Sequence, residues 1–129
     1  MLNRFIDNND GTITDTRTNL MWEKASITSL VTWEEAASYC HKLNLGGHVD
    51  WRLPEIWELV SIADFSKCDY SGSTSIIYNV FQGRLATYYW TEQSTTMGLD
   101  GVWVFDFGLG MLDYGNPLSK LHVRAVRDI

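Results

Sequence analysis

Asp7, Asn9, Asp10 and Asp15 crowd one short stretch and carry the oxygen donors that a calcium ion takes. An EF-hand loop places acidic or amide groups at alternate positions and a glycine at the sixth. Here Gly11 is fifth counting from Asp7, so the register fails. Asx residues that bond their own backbone in turns account for the group, and no metal is expected at 7–15. His41, His48 and His122 are isolated, with no H-x-x-x-H or C-x-x-C pattern. His41 directly follows Cys40, but helix neighbours diverge by about 100°, so the two do not read as a thiolate–imidazole pair. No G-x-S-x-G, Walker or dinucleotide fingerprint occurs. The expectation is a protein that is not an enzyme and uses no cofactor.

Two other groups could bind rather than react. Arg52, Arg124 and Arg127 are candidate ligand-binding cations, yet an arginine inside DWRLP reads better as a structural fork pairing a carboxylate or carbonyl at the core edge. The late segments 92–101 and 108–119 are irregular and glycine-rich, and hold Met97, Asp100, Asp113, Tyr114 and Asn116. Loops on a rigid scaffold concentrate binding function. A tyrosine ring with amide and carboxylate neighbours suits a neutral sugar face or a protein epitope. These five residues are the expected ligand-binding set.

The elements that must hold them follow from the pattern. Residues 4–7 and 12–16 read as a hairpin around Asn8-Asn9-Asp10-Gly11, and a reversal at 16–19 leads into Leu20-Met21-Trp22. Asn19 suits a left-handed backbone there. Thr32 and Glu35 form a capping box that opens a helix over 32–43, with Trp33, Ala36, Ala37, Cys40 and Leu43 on one stripe. Gly46-Gly47 bounds it. Pro54 in the first helical position opens a second helix over 54–64, burying Ile56, Leu59, Val60 and Ala63. Residues 66–75 read as a loop, and 87–91, 101–107, 111–114 and 121–127 as strands. In LHVRAVR, Leu121, Val123 and Ala125 alternate inward against His122, Arg124 and Val126. Trp22, Trp33, Trp51 and Trp57 are expected in the core, as are Trp90 and Trp103.

The 129 residues are enough for one domain, residues 1–129, of α+β class with two helices packed on short antiparallel sheets and long late loops. Net charge is −6 and the ten Lys/Arg are scattered singly, which disfavours nucleic acid, sulfated polysaccharide and anionic lipid. No apolar run reaches the length of a membrane span. The opening MLNRFIDN has neither the basic nor the apolar region of a signal peptide, leaving a cytoplasmic protein or an exported domain without its leader. Cys40 and Cys68 could close a loop worth roughly 3–4 kcal/mol, or stay free and buried; both readings remain open.

The order DNNDGTITDTRTNLMW, WEEAASYCHKL, DWRLP, YWTE and terminal VRAVR resembles the bacterial Lcl C-terminal-like domain family over almost the whole chain. The resemblance implies a C-type-lectin-like fold, found in exported or surface proteins, and so an extracellular or periplasmic place. Where the family often carries a cysteine in the VRxVR word that bridges to the first helix, this chain has Ala125. Calcium-dependent C-type lectins use Glu-Pro-Asn or Gln-Pro-Asp with Trp-Asn-Asp; only Asn116-Pro117-Leu118 stands here. The Arg52-Leu53-Pro54 word is also similar to the formylglycine-generating group, whose chemistry needs a late cysteine pair absent beyond Cys68. The functional expectation is a binding or adhesion module for a carbohydrate or protein partner. The alternative is a structural, oligomerising domain of a larger surface protein with no ligand site.

Overall fold

The computed structural model describes residues 3–94 and 101–129. It is an α+β arrangement of two helices and two small antiparallel sheets, in the expected class. Strands β1 (Phe5–Asp7), β2 (Thr12–Asp15) and β3 (Leu20–Glu23) form the expected meander. Asn9 and Gly11 in the first turn and Asn19 in the second take positive φ, which asparagine and glycine tolerate best. Strand β7 (Val126–Asp128) then pairs antiparallel with β3, so both ends of the chain share one sheet in the order β1-β2-β3-β7.

Helix α1 (Trp33–Lys42) begins as the sequence indicates: the Glu35 amide donates to Thr32 Oγ1 (3.2 Å) and the Thr32 amide to Glu35 Oε1 (2.9 Å). Its inward stripe buries Ala36 and Cys40 completely, against Trp51, Trp90, Val123 and Ala125. Helix α2 (Ile56–Ser61) is shorter than the 54–64 span expected, and Pro54 lies outside it. The cause is tertiary. Arg52 pairs as an extended bridge with Val126, and the Pro54 carbonyl accepts from the Glu92 amide (2.9 Å), so the chain stays extended until Glu55, whose amide donates to Glu58 Oε1 (2.7 Å). At the other end Ala63 leaves the helix to bridge Ile77.

The inward face of α2 carries Glu58 and Leu59, not Trp57, which is 53% exposed and donates its indole N–H to Glu55 Oε2 (2.5 Å). Trp57 is therefore not a core residue. Trp22, Trp51 and Trp90 are buried, while Trp33 and Trp103 are half-buried.

The second sheet has the order β4-β5-β6, from Tyr88–Ser94, Val102–Asp106 and Met111–Gly115. Central β5 is covered on both faces: Val104 meets the cluster under α1, and Phe105 meets the cluster of Leu59, Ile62, Ile76 and Phe107. The final segment does not form the single strand expected over 121–127. It makes isolated bridges from Leu121 to Val31 and from His122 to Tyr89 of β4, then becomes β7, whose Val126 also bridges Arg52.

The expected alternation also fails there, because Arg124 and Val126 are as buried as Val123 and Ala125. Arg124 Nη1 donates to the carbonyls of Glu23 (3.0 Å) and Lys24 (2.6 Å), and Nη2 to that of Gln82 (2.7 Å). Its guanidinium lies over the Phe81 ring at 5.0 Å. Nε is left without an acceptor among the described residues, but a cation whose Nη donors meet converging carbonyls is tolerated in a core that would reject an unpaired one.

Beside it, Glu23 is buried and accepts from the Tyr39 hydroxyl and the Ala125 amide (3.1 Å). Burial lifts its carboxyl above the ordinary 4.5, against the hydrogen bonds from Tyr39 and Ala125 and the charge of Arg124. A raised folded value contributes stability that is complete below the unfolded value and is lost as pH rises through the folded one. Relative to wild type, Glu23→Gln should thus gain in melting temperature as pH rises from about 4 towards neutral. A difference that is flat or falls with pH, measured by thermal melts across that range, would contradict this.

Candidate functional site

The expected ligand residues separate into distinct places. Met97 and Asp100 lie outside the described residues. Asp113 and Tyr114 sit on β6, not on a loop, so they point to opposite faces of the sheet. The register places Asp113 beside Val104 and Trp90 on one face and Tyr114 beside Trp103 on the other. Tyr114 is 53% exposed, and its ring meets Trp103 edge-on at 6.0 Å. Asn116 is exposed, but its Oδ1 accepts from the Leu118 amide (2.9 Å), so its amide group is partly committed to an Asx turn.

Three concavities gather along this side. A cleft of about 190 Å³ is lined by Tyr88, Val104, Asp113, Tyr114, Gly115, Ser119 and Leu121. A neighbouring one of about 110 Å³ shares Tyr88 and Asp113 and adds Asp106, Leu109, Met111 and Leu112. Beyond the turn at 116–119 lies an apolar groove of about 340 Å³ between Trp33 and Ala37 of α1 and Pro117 and Leu118, with Thr32 and Glu34 beside them. The turn is the ridge between groove and cleft. It is fixed to the helix, since the Trp33 amide donates to the Pro117 carbonyl (3.1 Å), and Trp33 Nε1 donates to Thr91 O (2.9 Å).

The side chains of this surface are neutral to acidic. Tyr88 OH donates to Asp113 Oδ2 (3.4 Å). Burial first, then the charges of Asp113 and Asp106, push its phenol above the ordinary value, so it remains a protonated donor at neutral pH. Asp113 Oδ1 accepts from the Tyr114 amide (2.8 Å), and Asp106 Oδ1 from the Gly108 amide (2.7 Å). Among the described residues, none that lines the three concavities is cationic. Tyr88, Asp106, Trp33 and Leu118 were not singled out as binding residues from sequence. Tyr88 could have been found from the alternation of TYYWT, but its meeting with Asp113 needs the β4–β5–β6 register.

The other candidate groups have structural partners. Asp7 pairs with Lys24 (2.7 Å), Asp10 accepts from the Thr12 amide and hydroxyl, and Asp15 is gripped by Arg4 through two bonds of 3.0 and 2.8 Å. Arg52 forks onto Glu58 with two bonds of 2.8 Å, the structural role the sequence indicates, and Arg127 grips Asp50 at 2.6 and 3.1 Å. Both cysteines are unpaired. Burial, then the charge of Glu23, pushes the Cys40 thiol up to about 12, leaving it protonated and inert. Among the described residues no helix is long and apolar enough to cross a membrane.

No curated protein matches the chain. A family model for the Lcl C-terminal domain matches residues 11–127, from the glycine of the first turn to the arginine that grips Asp50. The chain belongs to the Lcl C-terminal domain family.

Proposed function

We propose that this domain is a non-enzymatic binding module, C-type-lectin-like in fold and working in recognition or adhesion at a bacterial surface or in the periplasm. The family is defined on a C-terminal domain, so the module serves larger proteins. The observation that supports the reading is the run of adjoining concavities around the turn at 116–119, where an exposed tyrosine, a carboxylate and apolar walls meet. Aromatic faces with flanking hydrogen-bonding groups suit a neutral sugar or a peptide, and the acidity of the surface disfavours polyanions.

The test is binding to an array of neutral and sulfated glycans and to candidate surface proteins, with Asp113→Ala and Tyr114→Ala as variants. Each should weaken binding about tenfold, the loss expected for a truncated contact residue. Both residues are exposed, so melting temperature should move by no more than a few degrees. Wild-type affinity for a verified ligand in both variants would sink the site. The oligomerising alternative draws on the apolar groove and on Leu118, which is 79% exposed. Sedimentation showing a stable oligomer that Leu118→Asp dissociates, with no ligand bound, would favour it instead.

A further inference from the structure

Strand β6 is the outer strand of its sheet, and no described strand or bridge pairs its free side. Most outer strands are guarded by charge, shortness or a covering loop, because unpaired backbone groups invite another strand. This one carries Met111, Leu112 and Tyr114 at 58, 45 and 53% exposure, with Asp113 as its single charge. The Tyr114 amide is turned to the Asp113 carboxylate, and Leu112, two residues earlier, faces the same free side.

We infer that β6 receives an extended, basic protein segment that adds to the sheet as a fourth strand, with a lysine or arginine opposite Asp113. The inference deepens the binding-module reading and rests on it. Charge complementarity selects this occupant. A residue opposite Asp113 shares its face, which is the face of Tyr88 and Asp106. There the two clefts offer two carboxylates, a tyrosine ring and apolar walls from Leu109 and Met111 for the stem of a long cation. Alternate side chains fall on the other face, against Tyr114 and Trp103. A second copy fits worse, since each copy carries a net charge of −6 and would bring acid to an acidic edge.

The test uses a capped synthetic peptide alternating valine with lysine, a version with glutamate for lysine, and one interrupted by proline. The lysine peptide should bind and slow hydrogen exchange at the Leu112 amide. The glutamate and proline versions should bind about tenfold more weakly or not at all. Asp113→Asn keeps an oxygen for the Tyr114 amide but removes the charge, so it should weaken the lysine peptide while leaving the melting temperature in place. Equal binding of all three peptides, or none with Leu112 exchange unchanged, overturns the inference. So does a dimer in sedimentation that excludes the peptide. If glycans bind through Asp113 and Tyr114 while the lysine peptide does not, the strand-addition inference fails and the binding-module reading stands.

Discussion

Arg124→Met is expected to cost about 3–5 kcal/mol of folding stability. Methionine replaces most of the buried stem, so a cavity is not the main cause. The loss comes from the guanidinium, whose donors hold the carbonyls of Glu23, Lys24 and Gln82. The Lys24 carbonyl keeps the Gln82 amide at 2.9 Å, so the loss falls on the others, and a carbonyl left without a partner costs about 1–3 kcal/mol when water cannot reach it. The charge of Glu23 loses its neighbour as well. In a protein of ordinary stability, about 5–15 kcal/mol in all, such a change removes a large share. Urea unfolding should show a lower midpoint with an unchanged slope. Arg124→Lys should recover only part, because one ammonium cannot span carbonyls from two separate segments. A loss below about 1 kcal/mol for the methionine variant would show that the fan of hydrogen bonds is not what holds these segments.

Arg52→Ala is the second large effect, at about 3 kcal/mol. Glu58 is almost fully buried, so removing its fork leaves a charge in the core edge. The same substitution at Arg127 should cost no more than about 1 kcal/mol, since its partner Asp50 is 61% exposed and regains water. Replacing both partners of the buried pair, Arg52→Met with Glu58→Leu, should restore most of what Arg52→Ala loses. Equal losses for Arg52→Ala and Arg127→Ala in denaturant titrations would mean that burial does not decide the worth of these forks.

What the sequence revealed was local, and what it hid was not. The capping box of Thr32 and Glu35 and the turn at Gly11 need only residues within a few positions, and both stand as read. The arginine fork was legible from the DWRLP word alone, without its partner, which proves to be Glu58 six residues on. Pro54 misled because its carbonyl is claimed by Glu92, a partner on another strand. Arg124 looked outward by alternation, yet carbonyls from two distant segments converge on it. At the candidate site, reading 111–114 as a strand already implied that Asp113 and Tyr114 part to opposite faces, but their grouping as one loop hid this. The groove between Trp33 and Leu118 joins a helix to a turn far along the chain, and no spacing rule reaches that far.

The pairing of β3 with β7 also fixes an order in time. Arg124 and Glu23 are 101 positions apart, and Ala125 reaches back 102 to the same residue. During synthesis the meander emerges first, yet its sheet lacks an outer strand and its core lacks the buried cation until residues 124–128 leave the ribosome. Closing so long a loop is slow, and until it closes the apolar face of the meander has no lasting cover. The nascent domain therefore keeps that face uncovered through nearly the whole of its own synthesis, and residues 124–128 act as the latch that ends the exposure.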